Sequence, residues 1–312
     1  MKPAPFIYHD PRTMAEACEL LATRDNARVL AGGQSLMPMM NFRAVTPDHV
    51  IDLNRIGELS YLRVADGTLM AGAMTRQREL EFSADVGRRC PVLREALAHV
   101  GHRQTRNRGT LGGSLCHLDP SAELANVTAL LGGTLHAISR RGRRDIPFRE
   151  FAVGYLTTSL APDELLAGVT LPLPRSGHGY AFVEFARRRG DFAVVACSAL
   201  LGLDARGDIV DAAIALSGMS HVPVRPAAIE GALRGQKPDA AAFKAAAAEA
   251  AKLDAAGDPF TSAAYRKHLA RVLMYRALEQ AAARAREREW LIPGPSPSRS
   301  TARRARAKSK RA

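Results

Sequence analysis

Two short stretches constrain this chain more than any other feature: Ala31-Gly32-Gly33-Gln34-Ser35 and Thr110-Leu111-Gly112-Gly113-Ser114. Each follows an extended segment and joins a glycine pair to hydroxyl side chains. Paired glycines permit positive φ and remove the Cβ atoms that would hold a ligand away from the backbone. Successive N–H groups then converge on an anion, and a following helix N-terminus adds partial positive charge. Ser35, Thr110 and Ser114 supply further donors. Two such turns from separate parts of the chain point to a pyrophosphate gripped between units, although plain tight turns satisfy the same spacing. Neither stretch is a Rossmann GxGxxG or a P-loop GxxxxGK(S/T).

The pattern around the turns divides the chain. A helix is expected over residues 11–22, capped by Thr13 with Glu16 three residues on. Strands are expected at 28–30 and 50–53, with a helical turn over 36–42 and a hinge at 54–57, where Asp52 and Asn54 organise a turn. A second unit opens near Glu58 with a hairpin turning at Asp66-Gly67. It continues with helices at 75–82 and 91–100, a polar glycine-rich loop at 106–114 and a helix over 122–131 stopped by Gly132-Gly133. Strands at 134–139 and 164–171 close it. A third unit reads as a three-stranded antiparallel sheet (181–187, 193–204, 209–217), the second strand being open to a helical reading, followed by helices at 240–253 and 262–286. The expected organisation is therefore 1–57, 58–174 and 175–288, with a disordered basic tail over 289–312.

Charge and cysteine placement exclude several classes. Of the formal net charge of +13, seven positive charges lie between Arg299 and Ala312, which contains no acid, leaving +6 for the rest. Such a tail can attract nucleic acid by counterion release. No aromatic residue is interleaved after Trp290 and no folded reader motif is present, so a solvated or partner-docking extension is the better reading. Cys18, Cys90, Cys116 and Cys197 are scattered without a CxxC pair, which argues against a disulfide framework, a zinc site or an iron–sulfur ligand set. His99 and His102 stand at helical spacing without an evident third ligand, so no metal is assigned. The N-terminus shows no apolar signal region, and the longest apolar run, 192–203, is too short to span a bilayer, so a soluble cytoplasmic protein is expected.

Longer stretches carry a family resemblance. LAGGQSLMPMMNFRAVTPDHVIDLNRI (30–56) and RNRGTLGGSLCHLDPSAEL (106–124) resemble the two FAD-binding segments of the molybdenum hydroxylase flavoprotein subunits, the medium subunits of carbon monoxide dehydrogenase-like enzymes and the flavin domain of xanthine dehydrogenase. ARRRGDFAVVACSAL (186–200) and YRKHLARVLMYRAL (265–278) are similar to the opening and the closing helix of their C-terminal domain. The likeness runs in order from Phe6 to Ala283.

The resemblance implies an α+β protein: a vanillyl-alcohol-oxidase/PCMH-type FAD fold of two α/β subdomains, then a C-terminal three-stranded antiparallel sheet with helices. It implies that Ala31, Gly32, Gly33, Gln34 and Ser35 hold the FAD pyrophosphate, with Thr110, Gly112, Gly113 and Ser114 completing the cradle. Gln34 stands where some relatives have histidine. Asp119 to Glu123 falls where the family carries an acid that contacts the ribityl or ribose hydroxyls; here the acid is Glu123, one methylene longer than aspartate. Phe192 is read either as facing the isoalloxazine or as a core residue opening a strand, and His117 either as lining the flavin pocket or as structural. Arg187, Arg188 and Arg189 read as solvated charge, with a phosphate or partner contact as the alternative.

The implied activity is electron relay. By resemblance, electrons run from molybdopterin on a large subunit through two [2Fe–2S] clusters on a small subunit to this FAD, then to an external acceptor, in a dimer of heterotrimers. No nicotinamide fingerprint favours NAD as that acceptor. The alternatives are a free-standing FAD oxidase or reductase of the same fold, for which no catalytic acid is evident, and a nucleic-acid-associated protein using the tail.

Overall fold

The computed structural model describes residues 1–287. Its first sheet is wholly parallel, in the order β1 (Ile7–His9), β3 (His49–Asp52), β2 (Ala27–Leu30), so each connection is a crossover and carries a helix. The first crossover is α1 (Met14–Thr23). Thr13 caps it, its hydroxyl accepting from Glu16 N at 3.2 Å, and the Glu16 carboxylate reaches back to Arg12 N at 2.7 Å. Ala17, Cys18 and Leu21 share the face that packs on Ile51 and Leu53. The second crossover holds the first glycine turn and α2 (Leu36–Asn41). Two 3₁₀ turns, Leu53–Arg55 and Gly57–Leu59, lead out of the sheet.

The second sheet is antiparallel. β4 (Leu62–Ala65) and β5 (Thr68–Gly72) form the expected hairpin, with Asp66 at φ 49° and Gly67 at φ 71°, the double left-handed turn that matches strand twist. Six helices follow before the chain returns to the sheet: α3 (Gln77–Phe82), α4 (Ala84–Arg89), α5 (Pro91–Leu97), α6 (Arg103–Arg108), α7 (Leu111–His117) and α8 (Glu123–Leu131). β6 (Thr134–Ser139), β7 (Gly142–Pro147), α9 (Phe148–Phe151), the small pair β8 (Ala152–Gly154) and β9 (Thr157–Thr158), and β10 (Leu165–Pro172) then give the strand order β4-β5-β10-β6-β7. Gly132, at φ 65°, ends α8 as expected.

The third sheet orders β11 (Gly179–Phe185), β12 (Val195–Leu203) and β13 (Ile209–Ser217) antiparallel, so the second segment is a strand. α10 (Ala227–Leu233), α11 (Ala240–Ala250) and α12 (Ala263–Glu287) cover its outer face. α8 covers the inner face and also packs on β10, so β12 is apolar on both sides and every residue of α8 is buried. Asn126 of α8 ties the seam: its amide donates to Ala215 O and Ser217 Oγ, both at 3.2 Å, and its Oδ1 accepts from Ser198. Glu95 of α5 adds a salt bridge to Arg284 of α12 at 2.9 Å and accepts from Phe182 N at 3.1 Å.

Among the described residues no helix is long and apolar enough to cross a membrane. The expected tail, 289–312, lies outside the described residues.

Candidate functional site

The first glycine turn joins β2 to α2. Gly33 sits at φ 74°, a conformation that L side chains rarely adopt. Gly32 is required for a different reason: a Cβ there would lie 2.2 Å from the Arg108 carbonyl oxygen and 2.9 Å from Gly109 Cα. The Gln34 side chain folds back to donate to Gly32 O at 3.2 Å. Among the described residues, no acceptor takes the N–H of Gly32, Gly33, Gln34 or Ser35, and the Ser35 hydroxyl makes no capping bond. Four consecutive free amides around a left-handed glycine form a concave donor surface matched to an anion.

The second stretch differs from the expected loop. Thr110 is the N-cap of α7, and the glycine pair lies in its first turn with neither residue at positive φ. Its opening amides are engaged: Leu111 N donates to Thr75 O (3.0 Å), Gly112 N to Ala73 O (2.8 Å), Gly113 N to Thr110 Oγ1 (3.0 Å) and Ser114 N to Thr110 O (3.2 Å). The glycines serve close approach instead. A Cβ on Gly112 would lie 2.5 Å from Ala73 Cβ, and one on Gly113 would lie 2.7 Å from Thr110 Oγ1 and 3.4 Å from Ala31 Cβ. Here a good cap residue and the facing carbonyls of residues 73–75 outweighed the helix-breaking tendency of two glycines. What this turn offers a ligand is the half-buried Ser114 hydroxyl; Thr110 is 1% exposed and its Oγ1 is engaged as the cap of α7.

The two turns meet, Gly32 against Arg108 and Gly109, and Ala31 beside Gly113. His117 ends α7, and Leu118 follows at φ 49°. Beyond it opens a cavity of about 450 Å³ whose walls include Asp119, Ser121, Tyr155, Phe192, His221 and Arg266. Phe192 is 60% exposed at its rim, so it is not a core residue. Asp119 accepts from Ser121 N at 2.8 Å. Arg188 pairs with Asp191 at 3.2 Å, and the Arg187 guanidinium lies over the Phe260 ring.

Glu123 is placed differently from these. It opens α8 and is only 4% exposed. Burial, then the nearby Glu184 carboxylate, pushes its carboxyl up to about 8, against an opposing hydrogen bond from its own N–H. His99 Nδ1 lies 3.0 Å from Glu184 Oε1, and that bond raises the imidazole above its ordinary value. Glu123 thus belongs to a buried acid cluster at the seam, and the cavity wall does not include it or His117. Sequence reading missed Tyr155, His221 and Arg266 at the cavity, and Arg76 behind the turns.

Comparison with known proteins fits this layout. Residues 4–174 match the family model described as the FAD binding domain in molybdopterin dehydrogenase. The chain belongs to this family. Residues 180–281 match the CO dehydrogenase flavoprotein C-terminal domain. The chain is 38% identical to the alpha subunit of the 6-hydroxypseudooxynicotine dehydrogenase complex of Paenarthrobacter nicotinovorans, covering 92% of this chain and 97% of that one. It is 35% identical to the carbon monoxide dehydrogenase medium chain of Afipia carboxidovorans, covering 92% and 100%. Among solved structures, a carbon monoxide dehydrogenase from Hydrogenophaga pseudoflava that lacks the Mo-pyranopterin moiety superposes with a TM-score of 0.88 at 35% identity, over 91% of this chain and 99% of that one. The protein is thus an oxidoreductase subunit, the FAD-binding medium subunit of a molybdenum hydroxylase of the carbon monoxide dehydrogenase and xanthine dehydrogenase type.

Proposed function

We propose that this subunit would hold the FAD pyrophosphate at the free amides of Gly32 to Ser35, with hydroxyl donors from Ser35 and Ser114 and with Thr110 as the cap that sets the second turn, and that the cavity bordered by Phe192 belongs to the same cofactor site. The carrying observation is the row of unengaged N–H groups around Gly33, pressed by Gly32 onto the second turn. Residues 1–57 and 58–174 act as the two FAD-binding subdomains and 175–288 as the C-terminal flavoprotein domain.

Bound FAD supplies one- and two-electron exchange, while the protein places and tunes it. This chain's residues would bind and orient it: the amides take the diphosphate charge, Ala31 and Gly113 keep the junction of the turns narrow, Gly112 lets α7 pack on Ala73, and Asp119 and Phe192 border the cavity. Glu123, buried beside Glu184 and absent from the cavity wall, would serve the seam as a carboxyl held toward its neutral form rather than as a charged ligand of the cofactor. In the complex, an iron–sulfur small subunit and a molybdopterin large subunit would be the source of electrons for this site, and an external acceptor would take them. The assembly is a dimer of heterotrimers.

We place the protein in the cytoplasm because the four cysteines are all free thiols; recovery with an extracytoplasmic marker on fractionation would refute this. The decisive test is the visible spectrum of the purified full-length chain with chromatography of its released cofactor. Flavin bands, released FAD and no iron–sulfur absorbance are expected. A colourless chain that also fails to take up added FAD would overturn the reading. The mass of the co-purified complex tests the assembly.

A further inference from the structure

The side chain that joins the two glycine turns belongs to neither. Arg76 lies between β5 and α3, half-buried, and its two terminal nitrogens serve different units. Nη1 donates to the carbonyl of Arg108, which directly precedes the second turn, and Nη2 donates to Asn54 Oδ1 at 2.5 Å. Asn54 stands in the 3₁₀ turn after β3 and passes the connection on, its Nδ2 donating to Ala31 O at 3.0 Å at the head of the first turn. Asp52 steadies Asn54 from behind: its carboxylate accepts from Asn54 N at 2.9 Å and from the Tyr8 hydroxyl at 2.7 Å. The backbone reinforces the link through the bridge between Arg76 and Thr110 and the bond from Gln77 N to Gly109 O at 2.9 Å. One continuous chain of hydrogen bonds therefore runs from the second turn through Arg76 and Asn54 to the first.

Its chemical effect concerns the carbonyls. Where two backbone segments approach as closely as Gly32 and Arg108, their oxygens border the same groove as their amides. A carbonyl facing a diphosphate repels it. In this chain the two carbonyls at the junction, Ala31 O and Arg108 O, are each taken by a side-chain donor, while the amides of Gly32 to Ser35 stay free. The hydrogen-bond acceptors of Arg76 are a carbonyl and an amide oxygen, and among the described residues it makes no direct salt bridge; the Arg108 cation lies beside it, and the Asp52 carboxylate behind Asn54 offsets part of its charge.

We infer that Arg76 is the positioning residue of the cofactor cradle: through Arg108 O and Asn54 it locks the two turns together, turns their carbonyls away from the anion, and adds positive charge behind them. The inference rests on the pyrophosphate placement proposed above. Lysine cannot replace it, because a point donor reaches one of the two acceptors where the guanidinium fork reaches both.

The test uses the full chain stripped of flavin and titrated with FAD, with binding read from flavin fluorescence and apoprotein melting recorded in parallel. Loss of a charge-assisted bond predicts that Arg76→Ala weakens FAD binding by about tenfold to a hundredfold. Arg76→Lys is expected to restore little of this, and Asn54→Ala to weaken binding in a way that does not add to Arg76→Ala. Apoprotein melting should change little in Arg76→Lys and Asn54→Ala, which also carry the test should Arg76→Ala fail to fold. Wild-type FAD affinity in these variants, or full rescue by lysine, would overturn the inference. Gly33→Val run alongside separates the two levels: if it alone loses FAD, Arg76 is not the positioning residue while the pyrophosphate placement stands; if it too binds normally, that placement itself fails.

Discussion

Single residues in the cradle do different jobs that a shared Gly-Gly motif hides, and the differences can be measured. Gly32 faces backbone, which cannot yield, so even one added carbon must push the Arg108 segment away. Gly33 has room, its nearest neighbours being side-chain carbons of Met37 and Leu30 at 3.3 and 3.4 Å, but its φ of 74° strains any L residue by about 1–2 kcal/mol. Gly113 faces side-chain atoms, the Thr110 hydroxyl at 2.7 Å and Ala31 Cβ at an ordinary 3.4 Å, and its φ is not positive. We predict that Gly32→Ala and Gly33→Val purify without FAD, whereas Gly113→Ala keeps part of it, as read from the ratio of flavin to protein absorbance. Equal occupancy in all three would show that the cofactor does not approach these turns. Ser114→Ala removes one neutral hydroxyl donor and should weaken FAD binding by roughly threefold to tenfold in the fluorescence titration. An unchanged dissociation constant would take Ser114 out of the site.

At the scale of elements, what the sequence revealed was what is written locally. The cap at Thr13, the Asp66-Gly67 hairpin and the Gly132 stop each depend on a few adjacent residues, and each stands where expected. The second glycine stretch was misread as a loop because its helix is set by partners 36 and 39 positions away, the carbonyls of Thr75 and Ala73. β7 went unseen because its first four residues, Gly142 to Asp145, are polar and exposed on a sheet edge, where no alternation is needed. Both glycine stretches, which the structure brings together, were legible as features. Arg76 was not, since nothing in TRQRE marks an arginine whose acceptors come from residues 54 and 108. The seam between α8 and the third sheet was hidden in the same way. Asn126 there satisfies Ser198, Ser217 and the Ala215 carbonyl in a fully buried setting. Asn126→Ala should therefore destabilise the protein by about 2–4 kcal/mol, since it strands several buried groups at once. A melting temperature within one degree of wild type would show that the network contributes nothing.

Over the whole molecule the same seam carries an unusual electrostatic burden, because it buries Glu123 and Glu184 close together with His99 at the edge. Asp119 also faces Glu123, and Glu95, itself bound to Arg284, faces His99. Glu123 is displaced from an ordinary value of 4.5 up to about 8 in the folded state. The stability it contributes is thus fully present below pH 4.5 and is lost as pH rises through 8, because the unfolded chain releases this proton first. His99 is raised above 6.5 by its bond to Glu184, so its contribution likewise fades as pH climbs past that value. The two act in the same direction and loosen the seam between the α5 and α8 helices and the third sheet at alkaline pH. Asp163, Glu164 and Asp258 are held below their ordinary values by arginine partners and, for Asp258, chiefly by a backbone N–H; they act oppositely, but only in acid. Between pH 6 and 8 the seam should therefore dominate, with the melting temperature of the apoprotein falling across that range and the Glu123 contribution levelling off above about pH 8. Glu123→Gln keeps the shape and a neutral amide without a proton to lose, so its melting temperature should fall less and exceed wild type at pH 9. Parallel curves for the two proteins would mean that Glu123 is already ionised in the fold, and that the seam holds it as a charged group.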